Sequence, residues 1–190
     1  MNAMKTFTHI GEKFYLDGKP FTVRAGAIHY FRVPRAYWHD RLLKLKECGF
    51  NTVETYVAWN LHEPKEGAFD FSGEKDVVAF LRAAQALGLY AIVRPGPFIC
   101  AEWEAGGFPT WLLADRNMRL RCSDPKYMQK VERYFARLFA VLRPCAIENG
   151  GNVLLWQVEN EYGSYGNDKE YLHRLVAIYR ENGINGQLFT

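Results

Sequence analysis

The densest group of reactive side chains is the run Gln157-Val158-Glu159-Asn160-Glu161-Tyr162-Gly163. It follows an apolar, β-branched stretch, Asn152 to Val158, that reads as a strand. Side chains alternate along a strand, so Glu159 and Glu161 are expected on one face with Asn160 between them. A carboxyl group at a strand end can protonate a leaving oxygen. That role needs a pKa raised toward neutrality, and Trp156 and Tyr162 are the expected desolvating wall. A lone Glu is ordinarily a solvated surface charge. The apolar strand before Glu161, and the Asn and aromatic residues around it, argue against that reading here.

Two further clusters carry candidate chemistry. In Arg94 to Pro109, prolines and glycines define a loop. Glu102 suits hydroxyl groups as an acceptor, and Trp103 offers an apolar ring face to a pyranose. The structural alternative is a capping or salt-bridging Glu beside a core Trp. Arg94 is expected to orient carboxylates. In Glu54 to Pro64, Tyr56 can hydrogen-bond a sugar or a carboxylate, while Glu54, Trp59 and Glu63 could equally be structural. His29 and Tyr30 follow an earlier strand, and a lone His there is more often a packed residue than a catalyst. His29, His62, Glu63 and Glu102 all fall in loops, but no H-E-x-x-H or similar spacing links them, so no metal site is expected. The cysteines Cys48, Cys100, Cys122 and Cys145 form no C-x-x-C pair, so zinc is not expected. Cys48 lies in an apolar helix pattern and reads as a buried thiol.

These residues must be positioned by alternating strands and helices. Phe21 to Ile28 reads as a first strand after the turn Leu16-Asp17-Gly18-Lys19-Pro20. Helical spacing follows through Trp38, Leu42, Leu45 and Cys48, with a stop at Gly49. Strands are expected over 51–59, 89–94, 152–158 and 187–190. Helices fill the intervals, with a short one near Thr110 to Asp115 inside a long connection. Repeated βα units with apolar strands imply a parallel sheet covered by helices. A doubly wound nucleotide binder would show glycines at its first strand-to-helix turn, and His29 to Pro34 contains none. A (β/α)8 barrel concentrates chemistry at strand carboxyl ends, which is where these clusters fall. The fold class is therefore α/β, a (β/α)8 TIM barrel truncated after about the fifth strand. Residues 1–190 are then the N-terminal portion of a single catalytic barrel.

The chain has 190 residues, of which 48% are hydrophobic and 24% charged, an ordinary globular composition. A formal net charge of +3 is too small to argue for nucleic acid or a membrane surface. No run of eighteen apolar residues predicts a transmembrane helix. The N-terminus, Met1 to Thr8, shows no charged and then apolar leader.

Taken together, Gly26 to Pro34, Glu54 to Pro64, Arg94 to Pro109 and Gln157 to Tyr165 resemble glycoside hydrolase family 35. The long Arg-Pro-Gly-Pro segment is the most family-specific, while Asn-Glu alone would indicate only the clan. The resemblance implies a retaining, exo-acting β-galactosidase with no cofactor. Glu161 would be the proton donor, and Asn160 would bond the sugar 2-hydroxyl. Tyr56, Cys100, Ala101 and Glu102 would line the galactose pocket, with Cys100 and Ala101 acting through backbone groups. The family nucleophile is a second Glu near the seventh strand, so none is expected in this chain. Glu102 and Glu159 belong to binding and support. Phe98 stands where the family often has Tyr, and Ala27 where a polar residue is common. Family members are mostly secreted, periplasmic or lysosomal. The resemblance leaves two other readings: a further retaining exo-β-glycosidase of the clan, such as one acting on glucosamine, and a non-catalytic carbohydrate-binding protein. With its barrel incomplete, the chain alone is expected to be inactive and poorly stable.

Overall fold

A computed structural model describes residues 5–190. Three short strands, β1 (Phe7–Ile10), β2 (Lys13–Leu16) and β3 (Lys19–Phe21), form an antiparallel sheet. Five more, β4 (Ala25–Ala27), β5 (Thr52–Tyr56), β6 (Tyr90–Arg94), β7 (Val153–Gln157) and β8 (Gln187–Phe189), form a parallel sheet in sequential order. A doubly wound sheet reverses its strand order, and this one does not. The sheet has two edges, β4 and β8. It is an α/β parallel sheet of the kind that barrels are built from, without a closing strand pair among the described residues.

Long helices cover this sheet, and one-turn helices lie in the connections. They are α1 (Trp38–Glu47), α2 (Trp59–His62), α3 (Val77–Ala86), α4 (Thr110–Leu113), α5 (Pro125–Leu142), α6 (Tyr162–Tyr165) and α7 (Lys169–Glu181). Helix α5 has the clearest local cause. Asp124 accepts from the backbone N–H groups of Lys126 and Tyr127, and Pro125 occupies the first turn. Its apolar stripe, including Val131, Phe135, Leu138 and Leu142, is fully buried against the sheet. No helix among the described residues is long and apolar enough to cross a membrane.

Two expectations need correction. The run from Phe21 to Ile28 is not one strand. Phe21 ends the antiparallel hairpin, paired with Phe14, while Ala25–Ala27 pairs in parallel with β5. Asp17 and Gly18 both have positive φ, the left-handed pair that a tight β2–β3 turn requires. Cys48 is exposed, because α1 ends at Glu47 and Cys48 lies beyond its buried face; the buried thiol is Cys145. Burial raises the Cys145 thiol to about 11.

The inner face of the parallel sheet changes character along the strands. One register row carries Glu54, Ile92 and Leu155, and the next carries Tyr56, Arg94, Gln157 and Phe189. Below them, Phe7, Phe14 and Phe21 of the antiparallel sheet join Ile92, Leu154 and Leu155 in a second apolar cluster. The Phe21 and Tyr90 rings meet edge to face at 5.4 Å. The antiparallel sheet thus closes the amino-terminal end of the parallel one.

Candidate functional site

At the carboxyl ends of β5, β6 and β7, Arg94 is the hub. Its Nη1 donates to Glu54 Oε1 at 2.7 Å, its Nε to Gln157 Oε1 at 2.6 Å, and its Nη2 to Asn160 Oδ1 at 2.8 Å. The guanidinium also lies 4.0 Å from the Tyr56 ring centroid. Arg94 therefore orients one carboxylate and two amides, as the sequence suggests. Tyr56 donates its hydroxyl to Asn160 Oδ1 at 3.2 Å. Two donors on one oxygen fix which end of the Asn160 amide is which. The amide nitrogen makes no side-chain bond among the described residues.

Glu159 and Glu161 do not share a face. Strand β7 ends at Gln157, and both glutamates have left-handed backbone, with φ of 64° and 50°. Alternation therefore stops before them. Glu161 is exposed, whereas Glu159 is buried and 1% exposed. Glu159 accepts from Arg121 Nη2 at 2.8 Å, from Tyr171 Oη at 2.7 Å and from the Asn160 backbone N–H at 2.8 Å. A buried ion pair is tolerable when its remaining lone pairs are satisfied, and these are. Burial, with the nearby Tyr127 and Glu159, pushes the Tyr171 phenol well above its usual range. Trp156 is fully buried and packs edge-on to Phe139 of α5, so it forms no wall around Glu161. Tyr162 is buried too, donating its hydroxyl to the Arg121 carbonyl.

Cys100, Ala101 and Glu102 form a consecutive left-handed run, with φ of 55°, 56° and 42°. Arg32 donates to the carbonyls of Ala101 and Glu102 and so clamps this run from the β4 side. Trp103 is half-buried; its Nε1 donates to Asn60 at 2.9 Å, and Phe31 meets its ring at 4.7 Å. Burial raises the Tyr56 phenol, Arg94 opposes this, and Glu54, Cys100 and Glu161 add to it. The hydrogen bond from Tyr56 to Asn160 ties the end of β5 to the turn that carries Glu161. His29 stacks on Phe31, and its Nδ1 accepts the Tyr56 backbone N–H at 3.4 Å. Burial and the cationic Arg32 and Arg94 lower its pKa, against the pull of Glu54.

His62 and Glu63 are held by other partners. His62 is buried between the Tyr30 hydroxyl and the Asp70 carbonyl, and burial lowers it to about 4. Glu63 accepts from Trp59 Nε1 at 2.6 Å and from Arg133 Nη2 at 2.6 Å. The Arg133 bond braces the end of α2 against α5. Sequence reasoning missed Arg121, whose local setting, Arg116 to Ser123, carries no motif. Only the turn that it contacts in space reveals it.

The model of glycosyl hydrolases family 35 matches residues 13–190. A β-galactosidase of Xanthomonas manihotis is 50% identical over 97% of this chain, which spans 31% of that protein. One of Mus musculus is 50% identical over 94% of this chain and 28% of its own length. The chain thus spans about 30% of the length of the curated relatives it matches. Among solved structures, an exo-β-1,4-mannosidase of an Opitutaceae bacterium superposes with TM-score 0.73 at 20% identity. It shares 90% of this chain and 32% of its own. A Streptomyces cattleya GH5_18 protein in complex with GlcNAc superposes with TM-score 0.69 at 16% identity, over 88% of this chain and 44% of its own. These two likenesses show a shared TIM-barrel type of fold. The family match and the half-identical relatives together show that the chain belongs to glycosyl hydrolase family 35.

Proposed function

We propose that this chain is the N-terminal portion of the catalytic barrel of a retaining exo-β-galactosidase, acting on terminal non-reducing β-D-galactose. Residues 1–190 then belong to one barrel, with β4 to β8 as its first five strands. Family membership and the half-identical β-galactosidases support the substrate class.

The observation that carries the reading is an exposed carboxylate beside an oriented amide. Glu161 is open to solvent, and the adjacent Asn160 has its oxygen held by Arg94 and Tyr56. The amide nitrogen is then free to donate to the sugar 2-hydroxyl, a contact that strengthens in an oxocarbenium-like transition state. Glu161 protonates the leaving oxygen and later accepts a proton from water. Tyr56, Cys100, Ala101 and Glu102 line the galactose pocket. Cys100 and Ala101 act through backbone groups, and Glu102 accepts from sugar hydroxyls.

A retaining mechanism needs a second carboxylate about 5 Å from the first. Glu54 is engaged by Arg94 and Glu159 by Arg121, so neither suits attack on an anomeric carbon. We assign the nucleophile to a later strand of the barrel, and the 190-residue chain alone to an inactive form. Turnover of a nitrophenyl β-galactoside by the purified chain overturns that assignment. In the full-length protein, Glu161→Gln should lower kcat by roughly 10²–10⁴-fold on phenyl β-galactoside. The loss should be much smaller on a dinitrophenyl galactoside, whose leaving group needs no proton. Equal losses on both overturn the acid role.

A further inference from the structure

Asn160 is gripped at both ends. Arg94 takes its side-chain oxygen, and Arg121 Nη2 donates to its backbone carbonyl at 2.6 Å. We propose that Arg121 is a positioning residue that holds the Glu159–Glu161 turn, and with it the Asn160 amide and the Glu161 carboxylate, in their working orientation. This rests on the reading of Glu161 as proton donor.

Several observations converge on it. Arg121 comes from the connection before α5, far in sequence from the turn, yet is only 6% exposed. Its Nε donates to Glu159 Oε1 at 3.2 Å and its Nη2 to Glu159 Oε2 at 2.8 Å. An ion pair that served stability alone would need only Glu159. The bond to the Asn160 carbonyl is the one that reaches the site. The guanidinium plane is fixed as well, with its carbon 4.1 Å from the Phe98 ring centroid and 3.9 Å from that of Tyr165. Gly106 makes room for that Phe98 ring, since a Cβ there would lie 1.9 Å from Phe98 Cε2. The turn needs such holding. Glu159 and Glu161 both occupy left-handed backbone, which a side chain with a Cβ disfavours, and the last backbone bonds before Asn160 are those of the Val158 and Glu159 N–H groups to the Phe189 and Gly96 carbonyls. Lysine cannot replace this grip, because a single ammonium does not offer a planar fork of donors.

The test uses the full-length protein with Arg121→Lys, and with the double variant Arg121→Met/Glu159→Gln, which removes the buried charge together with its partner. The readouts are kcat and KM on phenyl and dinitrophenyl β-galactosides, and amide hydrogen exchange across 158–162. Arg121→Lys should lower kcat on the phenyl substrate roughly 10²-fold, the cost of an ångström-scale misplacement. The dinitrophenyl substrate should lose less, KM should move little, and exchange across the turn should quicken. The double variant should fold and melt near the parent temperature yet keep the low kcat. Wild-type kcat and exchange in either variant, with only the melting temperature lowered, would make Arg121 a brace and overturn the proposal. Glu161→Gln measured alongside separates the two ideas. If it shows no leaving-group dependence the acid reading fails, while hydrogen exchange still decides whether Arg121 holds the turn.

Discussion

The two ends of the same parallel sheet differ sharply. At the amino-terminal end, Ile92 and Leu155 face Phe7 and Phe14 in an apolar cluster. Two residues further along the same strands, Arg94 and Gln157 face Tyr56 and, through Arg94, Asn160. Two residues advance a strand by about 6.6 Å, so one side-chain layer separates an oily floor from a polar ring. The floor gains its free energy from water exclusion, and Glu54, in the same register row, is paired with Arg94 of the ring. The ring is built of groups that fix one another's direction. Stability and chemistry are thus divided by height within one sheet.

Substitutions at the two ends should separate these roles. The largest effect falls at the ring, where Glu161→Gln should remove up to about four orders of magnitude of kcat with little change in melting temperature. A matching drop in stability would blur the division. At the floor, Leu155→Ala should cost about 2–5 kcal/mol of unfolding free energy, read from urea midpoints, because it leaves a cavity. The kcat of the folded fraction should stay unchanged. A fall in kcat would mean that the floor supports the chemistry directly.

A smaller effect belongs to neither end. His62, the last residue of α2, is buried, and burial lowers its folded pKa from 6.5 to about 4. Its neutral form is the one that folds, so this contribution is complete above pH 6.5 and is lost as pH falls toward 4. Between pH 7 and pH 5 the loss should be about 2 kcal/mol. A His62→Gln variant should show a correspondingly flatter dependence of its urea midpoint on pH. An unchanged slope would assign the acid sensitivity to other groups.

The sequence made the parallel sheet legible because its strands are apolar runs bounded by glycine and proline. Val153–Gln157 and Tyr90–Arg94 are both nearly continuous burial, which periodicity detects. The antiparallel floor was harder to see. In β1 only Phe7 is buried while Thr8, His9 and Ile10 are exposed, so no pattern marks it. Of the candidate residues, Tyr56 and Asn160 meet through a hydrogen bond and share Arg94. Their relative directions were not legible, because alternation assumes extended backbone and Glu159 and Glu161 leave it. Arg121 was invisible for another reason. Its importance lies in partners 38 and 39 residues away, and nothing local announces such a contact.

The sealed floor has a consequence for traffic. With Phe7, Phe14 and Phe21 packed beneath the sheet, the described residues cover its amino-terminal side, while Glu161 stands exposed beyond the carboxyl end of β7. Under the function proposed above, a released sugar leaves on the side from which the next one arrives. Such shared access matches the proposed exo action, in which single residues are trimmed from chain ends.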